Sequence, residues 1–269
     1  MSRISTTLET LKQQGKTALI PYITAGDSHP ELTVPLMHSM VKAGADAIEL
    51  GVPFSDPMAD GPTIQLACER ALKHHTSLHD VLDMVKAFRT QDTQTPVILM
   101  GYLNPLETMG YETFAIAAKA AGVDGMLTVD LPPEEAGALL EPLKKAEVDA
   151  IFLLSPTTRT HRIQRIVEAG SGYLYYVSLK GVTGANQLDV ADVDKHVRAI
   201  KTHTDLPVGV GFGIKDAKTA AAVAEVADAV IVGSVLVKMI EENPNDDAII
   251  LAKTSELLAE MRQAMDKTI

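Results

Sequence analysis

The chain has 269 residues, 46% of them hydrophobic, which is enough for one large core. A formal net charge of −11, no Trp and 4% aromatic residues argue against a nucleic-acid or anionic-membrane surface, so neither partner is expected. Cys68 is the single cysteine and excludes an internal disulfide, residues 1–7 lack the apolar core of a signal peptide, and no run approaches a membrane span. A cytoplasmic location is expected.

A helix is predicted over 2–14. Short apolar runs then recur at 18–23, 47–51, 96–100, 125–129, 150–154, 174–177, 208–211 and 229–232. Each is rich in Val, Ile and Leu and mostly non-alternating, the pattern of parallel strands covered on both faces. Helical patterns fall between them at 32–43, 78–89, 114–121, 134–146, 162–169, 193–202 and 217–226, with a short helix at 235–240 and a longer one at 247–265. Three helix-to-strand corners repeat one phrase: Gly44-Ala45-Asp46, Gly122-Val123-Asp124 and Val226-Ala227-Asp228. Glycine in the first two reads as a helix C-cap, with Asp just ahead of the strand. Eight βα units predict a (β/α)8 TIM barrel with an extra N-terminal helix, as one domain over 1–269. A doubly wound open sheet is the competing architecture.

Barrel enzymes place their chemistry at the C-terminal ends of the strands. Thr24, Glu49, Asp130, Ser178, Gly211 and Gly233 fall at such ends. Glu49 ends an apolar strand, where a carboxylate is costly to bury without a partner or a task. The following loop, GVPFSDPMADGP over 51–62, is shaped by Pro53, Pro57, Pro62, Gly51 and Gly61 and carries a second acid, Asp60. One acid on a strand and one on a shaped loop suit proton transfer. The plainer alternative is that Glu49 is a satisfied buried acid and that Asp56 and Asp60 are turn residues.

Glycine-bearing segments follow the last three strands: 180–184, 209–214 and Gly233-Ser234. Loops in these positions, with a short helix after Ser234, are where barrels bind phosphate. The G-x-G-x-G spacing at 209, 211 and 213 is not a dinucleotide fingerprint, there is no P-loop, and the eight histidines are scattered. No nucleotide cofactor and no metal is expected. His74, His75 and His79 read as surface residues and Cys68 as helix packing.

Several segments together resemble the tryptophan synthase alpha chain family: IPYITAGD at 20–27, ELGVPFSDPMADGPTIQ at 49–65, DLPPEE at 130–135, GVTG at 181–184 and GFGI at 211–214. The resemblance implies cleavage of indole-3-glycerol phosphate to indole and glyceraldehyde 3-phosphate. It also implies a beta-chain partner in an alpha2-beta2 assembly, with pyridoxal phosphate on that partner and no cofactor on this chain. Carried over by position, Glu49 and Asp60 are the catalytic acids. Tyr22, Tyr175 and Phe212 line the substrate, Gly184, Gly213, Gly233 and Ser234 hold its phosphate, and Thr183 also binds substrate. Loops 53–60 and 179–189 are expected to close over substrate, and Asp56 and Asn104 to face the beta chain. Leu179-Lys180 and Thr128-Val129 depart from commoner residues of the family, without touching either acid. Other phosphate-sugar barrel enzymes, such as phosphoribosylanthranilate isomerase or indoleglycerol phosphate synthase, and a non-catalytic phosphate-binding subunit are the alternatives. The chemistry suits the residues: in a retro-aldol cleavage, Asp60 can accept the ring N–H while Glu49 shuttles the proton that reaches C3 or leaves the hydroxyl.

Overall fold

The computed structural model describes residues 2–178 and 189–267. Strands β1 (Ala18–Thr24), β2 (Ile48–Gly51), β3 (Val97–Gly101), β4 (Gly125–Thr128), β5 (Asp149–Leu154), β6 (Leu174–Val177), β7 (Val208–Gly211) and β8 (Ala229–Val232) lie on the eight apolar runs. They pair in chain order and all in parallel, and β1 closes on β8. The architecture is therefore the closed barrel, not the open sheet. Pro21, which cannot donate into a ladder, sits where β1 passes from pairing with β8 (Ala18 to Pro21) to pairing with β2 (Tyr22 to Thr24).

Two layers of core explain the non-alternating strands. Outward residues such as Ile48, Leu50, Leu99 and Val210 pack against the surrounding helices. Inward residues, among them Ala18, Ile20, Ala47, Ile98, Leu127, Ile151 and Ile231, form a second cluster inside the barrel. Helix α1 (Arg3–Gln13), capped by Ser2 accepting from the Ser5 N–H, plugs the bottom of that inner cluster with Ile4, Leu8 and Leu11.

The other helices are α2 (Pro30–Lys42), α3 (Pro62–Leu72), α4 (Leu78–Arg89), α5 (Leu103–Met109), α6 (Tyr111–Ala121), α7 (Gly137–Lys145), α8 (Thr160–Ala169), α9 (Val190–Lys201), α10 (Ala217–Ala224), α11 (Ser234–Glu242) and α12 (Asp247–Asp266). Helix starts differ most from the sequence pattern: α2 and α8 begin two residues earlier and α6 and α9 three earlier, and α3 has no range in it. Helix α7 starts three residues later than the pattern predicts, because Pro132-Pro133 and the turns after them delay its first helical residue. Helix α5 has no counterpart in the pattern; Pro105 is tolerated in it because a proline in a first helical turn needs no donor.

The repeated corner phrase has one structural meaning. Each aspartate reaches back to the start of the preceding strand and makes two bonds with its first residues. Asp46 Oδ2 accepts from Leu19 N at 2.8 Å, and Asp46 N donates to Leu19 O at 2.9 Å. Asp124 does the same with Val97, at 2.9 Å each way, and Asp228 with Val208, at 2.8 and 3.0 Å. Gly44 and Gly122 have φ of +105° and +90°, and a Cβ on either would lie 2.8 Å from the Cγ of Arg262 or Arg89. Those arginines then bind the adjacent aspartates, Arg262 to Asp46 at 3.1 Å and Arg89 to Asp124 at 2.8 Å. Glycine is required twice over at these corners, for its backbone and for the arginine laid across it.

Candidate active site

Alternation along β2 turns Glu49 inward, since its neighbours Ile48 and Leu50 join the outer core. Glu49 is wholly buried, level with Tyr22 of β1 and Ile98 of β3. Tyr173, equally buried and one residue ahead of β6, donates its hydroxyl to Glu49 Oε1. Among the described residues, Glu49 Oε2 is buried and has no hydrogen-bond partner. Burial pushes the Glu49 carboxyl up to about 7, against the pull of the Tyr173 bond. With one oxygen held and the other unengaged, this group can give or take a proton at neutral pH.

Asp60 is positioned by its loop. Its N–H donates to Pro57 O at 3.1 Å, and Gln65 of α3 donates through Nε2 to Asp60 O at 2.8 Å. Tyr102, the N-cap of α5, holds the loop at three points. Its hydroxyl accepts from Ala59 N at 3.0 Å and donates to Asp60 Oδ2 at 2.8 Å, while its ring stacks on Phe54 with centroids 5.2 Å apart. Asp130 Oδ1 accepts from Leu103 N at 2.9 Å and so fixes the start of the helix that carries Tyr102. Desolvation raises the Asp60 carboxyl, and the Tyr102 hydroxyl opposes the rise by favouring the ionised form.

Tyr22 and Tyr175 lie within electrostatic reach of both acids. Burial raises both phenols far above their ordinary range, and each also feels the charges of Glu49 and Asp60. A Cβ at Gly51 would lie 2.2 Å from Tyr22 Oη, and one at Gly211 would lie 2.1 Å from Tyr175 Oη. The two rings thus lie over bare backbone on adjacent strands. Across the same rim, Phe212 is 44% exposed with φ +89°, and Gly213 has φ +77°. Gly233 caps α11 and Ser234 opens it, so the unpaired N–H groups of that helix end face the same rim as an anion-receptive edge. Asp56 and Asn104 are exposed, as is Met58 beside Asp56 at 80%. Thr183, Gly184 and Lys180 lie outside the described residues, as does most of loop 179–189.

Sequence reasoning missed Tyr102 and Tyr173. Tyr102 directly follows β3, so its place at a strand's C-terminal end was a usable signal. Tyr173 precedes β6, the end where barrel rules expect structure and not chemistry, and only the fold brings it to Glu49. Among the described residues no group of three or more His, Cys, Asp or Glu is arranged to hold a metal ion, and no helix is long and apolar enough to cross a membrane.

A closed parallel barrel with a buried acid poised near neutrality, a second acid on the adjoining loop and an anion-receptive helix end defines a barrel enzyme of the acid–base type. The family model described as tryptophan synthase alpha chain matches residues 8–266. The tryptophan synthase alpha chain of Thioalkalivibrio sulfidiphilus is 65% identical over 266 residues, covering 99% of this chain and 100% of that one. That of Marinobacter nauticus is 62% identical, covering 99% and 98%. A crystal structure of tryptophan synthase subunit alpha from Legionella pneumophila superposes with a TM-score of 0.93 at 51% identity, covering 99% of both chains. The chain belongs to the tryptophan synthase alpha chain family. It is a lyase of tryptophan biosynthesis that cleaves indole-3-glycerol phosphate.

Proposed function

We propose that Glu49 and Asp60 carry this cleavage, a retro-aldol reaction giving indole and glyceraldehyde 3-phosphate. The observation that carries the assignment is the Glu49 carboxyl: wholly buried, bonded by Tyr173 on one oxygen, unpartnered on the other, and titrating at about 7. Protonation of indole C3 places positive charge on the ring nitrogen. Asp60, held by Tyr102, accepts the ring N–H and stabilises that cation. Glu49 moves the proton between its free oxygen, C3 and the hydroxyl beside the breaking bond. As that hydroxyl loses its proton, the carbon–carbon bond breaks and its electrons return to the indole ring.

Tyr22, Tyr175 and Phe212 enclose the indole, Gly184, Gly213, Gly233 and Ser234 receive the phosphate, and Thr183 also binds substrate. The barrel works as one domain, in the cytoplasm, and takes no cofactor of its own. Its partner is a tryptophan synthase beta chain in an alpha2-beta2 assembly. That chain holds pyridoxal phosphate and meets the exposed face bearing Asp56, Met58 and Asn104. Indole release by the purified chain, with and without a beta chain, tests the scheme. Glu49→Gln and Asp60→Asn each lower kcat by about 10²–10⁴ while substrate still binds. Substantial turnover by either variant would refute these roles.

A further inference from the structure

Ser178 closes β6 at the active-site rim and has no part in the cleavage scheme. Its N–H extends the β6–β7 ladder by donating to Gly211 O at 3.2 Å. Its hydroxyl reaches two carbonyls at once, Gly211 O and Phe212 O, each at 3.1 Å. One O–H proton is shared between them as a three-centre bond. Those carbonyls belong to a turn that L side chains adopt reluctantly, with Phe212 at φ +89° followed by Gly213 at φ +77°. The Phe212 ring is 44% exposed, so packing alone does not hold it in place.

A trans peptide unit points its C=O and N–H in opposite directions. Drawing the carbonyls of Gly211 and Phe212 toward β6 therefore turns the N–H groups of Phe212 and Gly213 away from it. In that direction lie β8, the other neighbour of β7, and the start of α11 at Gly233 and Ser234.

We infer that Ser178 is a positioning residue for substrate: its hydroxyl holds residues 211–213 in the shape that offers the Gly213 N–H to phosphate and the Phe212 ring to indole. The inference rests on the substrate contacts of the proposed function. A purely structural hydroxyl would tie β6 to β7 and leave ligand affinity alone, which separates the two readings.

The test compares Ser178→Ala and Ser178→Thr with the parent chain. It measures kcat and KM for indole-3-glycerol phosphate, the affinity for glycerol 3-phosphate by calorimetry, and thermal stability. Ser178→Ala raises KM and weakens glycerol 3-phosphate binding by about fivefold to tenfold, the net worth of one hydrogen bond, with kcat within about twofold of the parent. Ser178→Thr, which keeps the hydroxyl, restores both. An unchanged KM and glycerol phosphate affinity in Ser178→Ala, with only the melting temperature lowered, overturns the inference. So does equal impairment of the Ala and Thr variants, which assigns the effect to volume. A parent chain that fails to cleave the substrate would sink the proposed catalytic scheme instead, and the glycerol 3-phosphate titration would still read Ser178.

Discussion

Glu49 titrates at about 7 in the fold, against a usual value of 4.5 for a free glutamate, and this links the reaction to stability. The folded state holds its proton more tightly than the unfolded chain. The contribution of this group to stability is therefore greatest below about 4.5 and is lost as pH rises through about 7. Glu49→Gln, which cannot ionise, should be more stable than the parent at pH 8 by up to about 3 kcal/mol, with the difference closing at pH 4. Urea unfolding of both proteins at the two pH values checks this, and equal differences at both would contradict it. Tyr173 acts in the opposite sense on the same group, because its bond lowers the Glu49 pKa. Tyr173→Phe should move the ionisation seen in the pH profile of kcat/KM from about 7 to higher pH. A shift downward, or none, would remove Tyr173 from the mechanism. Glu49 and Asp60 were legible in the sequence because a charge inside an apolar strand and a loop dense in Pro and Gly each break a local rule. Tyr173 broke none, since an aromatic ahead of an apolar run looks like core.

At the scale of elements, strands were easier to read than helix starts. Runs of Val, Ile and Leu mark a doubly covered strand wherever it lies, and β6, β7 and β8 match the sequence pattern residue for residue. Helix starts depend on caps and prolines whose effect is tertiary. Pro105 is acceptable in α5 because it sits in the first turn and Asp130, from another βα unit, satisfies the N–H of Leu103. The glycine corners were visible as a repeat, but the arginine lying over each was not, because Arg262 and Asp46 are 216 positions apart. Gly122→Ala must hold a left-handed backbone and displace Arg89, and should lose about 1–3 kcal/mol. Gly137→Ala is the matched control: it lies in the first turn of α7 with nothing within 4 Å of a new Cβ, and should gain up to about 1 kcal/mol. Thermal unfolding of the pair reads both signs.

Across the whole molecule, the two ends of the barrel divide the labour. At the bottom, Asp124 gathers Arg3 of α1, Arg89 of α4 and the first N–H of β3, at 2.8, 2.8 and 2.9 Å. Arg89 also donates to the carbonyls of Gly122, Asp92 and Thr95. Removing the carboxylate leaves a guanidinium that is only 10% exposed without its charge partner. Asp124→Ala should therefore lose about 3–5 kcal/mol of stability, while kcat and KM of the molecules that remain folded stay unchanged. Chemical denaturation combined with active-site titration distinguishes that outcome from direct damage to the site. The barrel itself was legible because its signal is a rhythm repeated eight times. The site was legible in part, because its acids lie near one another in sequence whereas the tyrosines that hold them, Tyr102 just after β3 and Tyr173 just ahead of β6, come from separate strands.

The rings of Tyr22 and Tyr175 rest where Gly51 and Gly211 have no side chain, and this ties the outline of the pocket to pairs of positions. Any change of size at one member is felt first by the other. Attempts to reshape the cavity for a bulkier or slimmer indole by altering single residues will meet this coupling. The productive unit of redesign is the tyrosine together with the glycine beneath it, exchanged as a couple so that one grows only as the other shrinks.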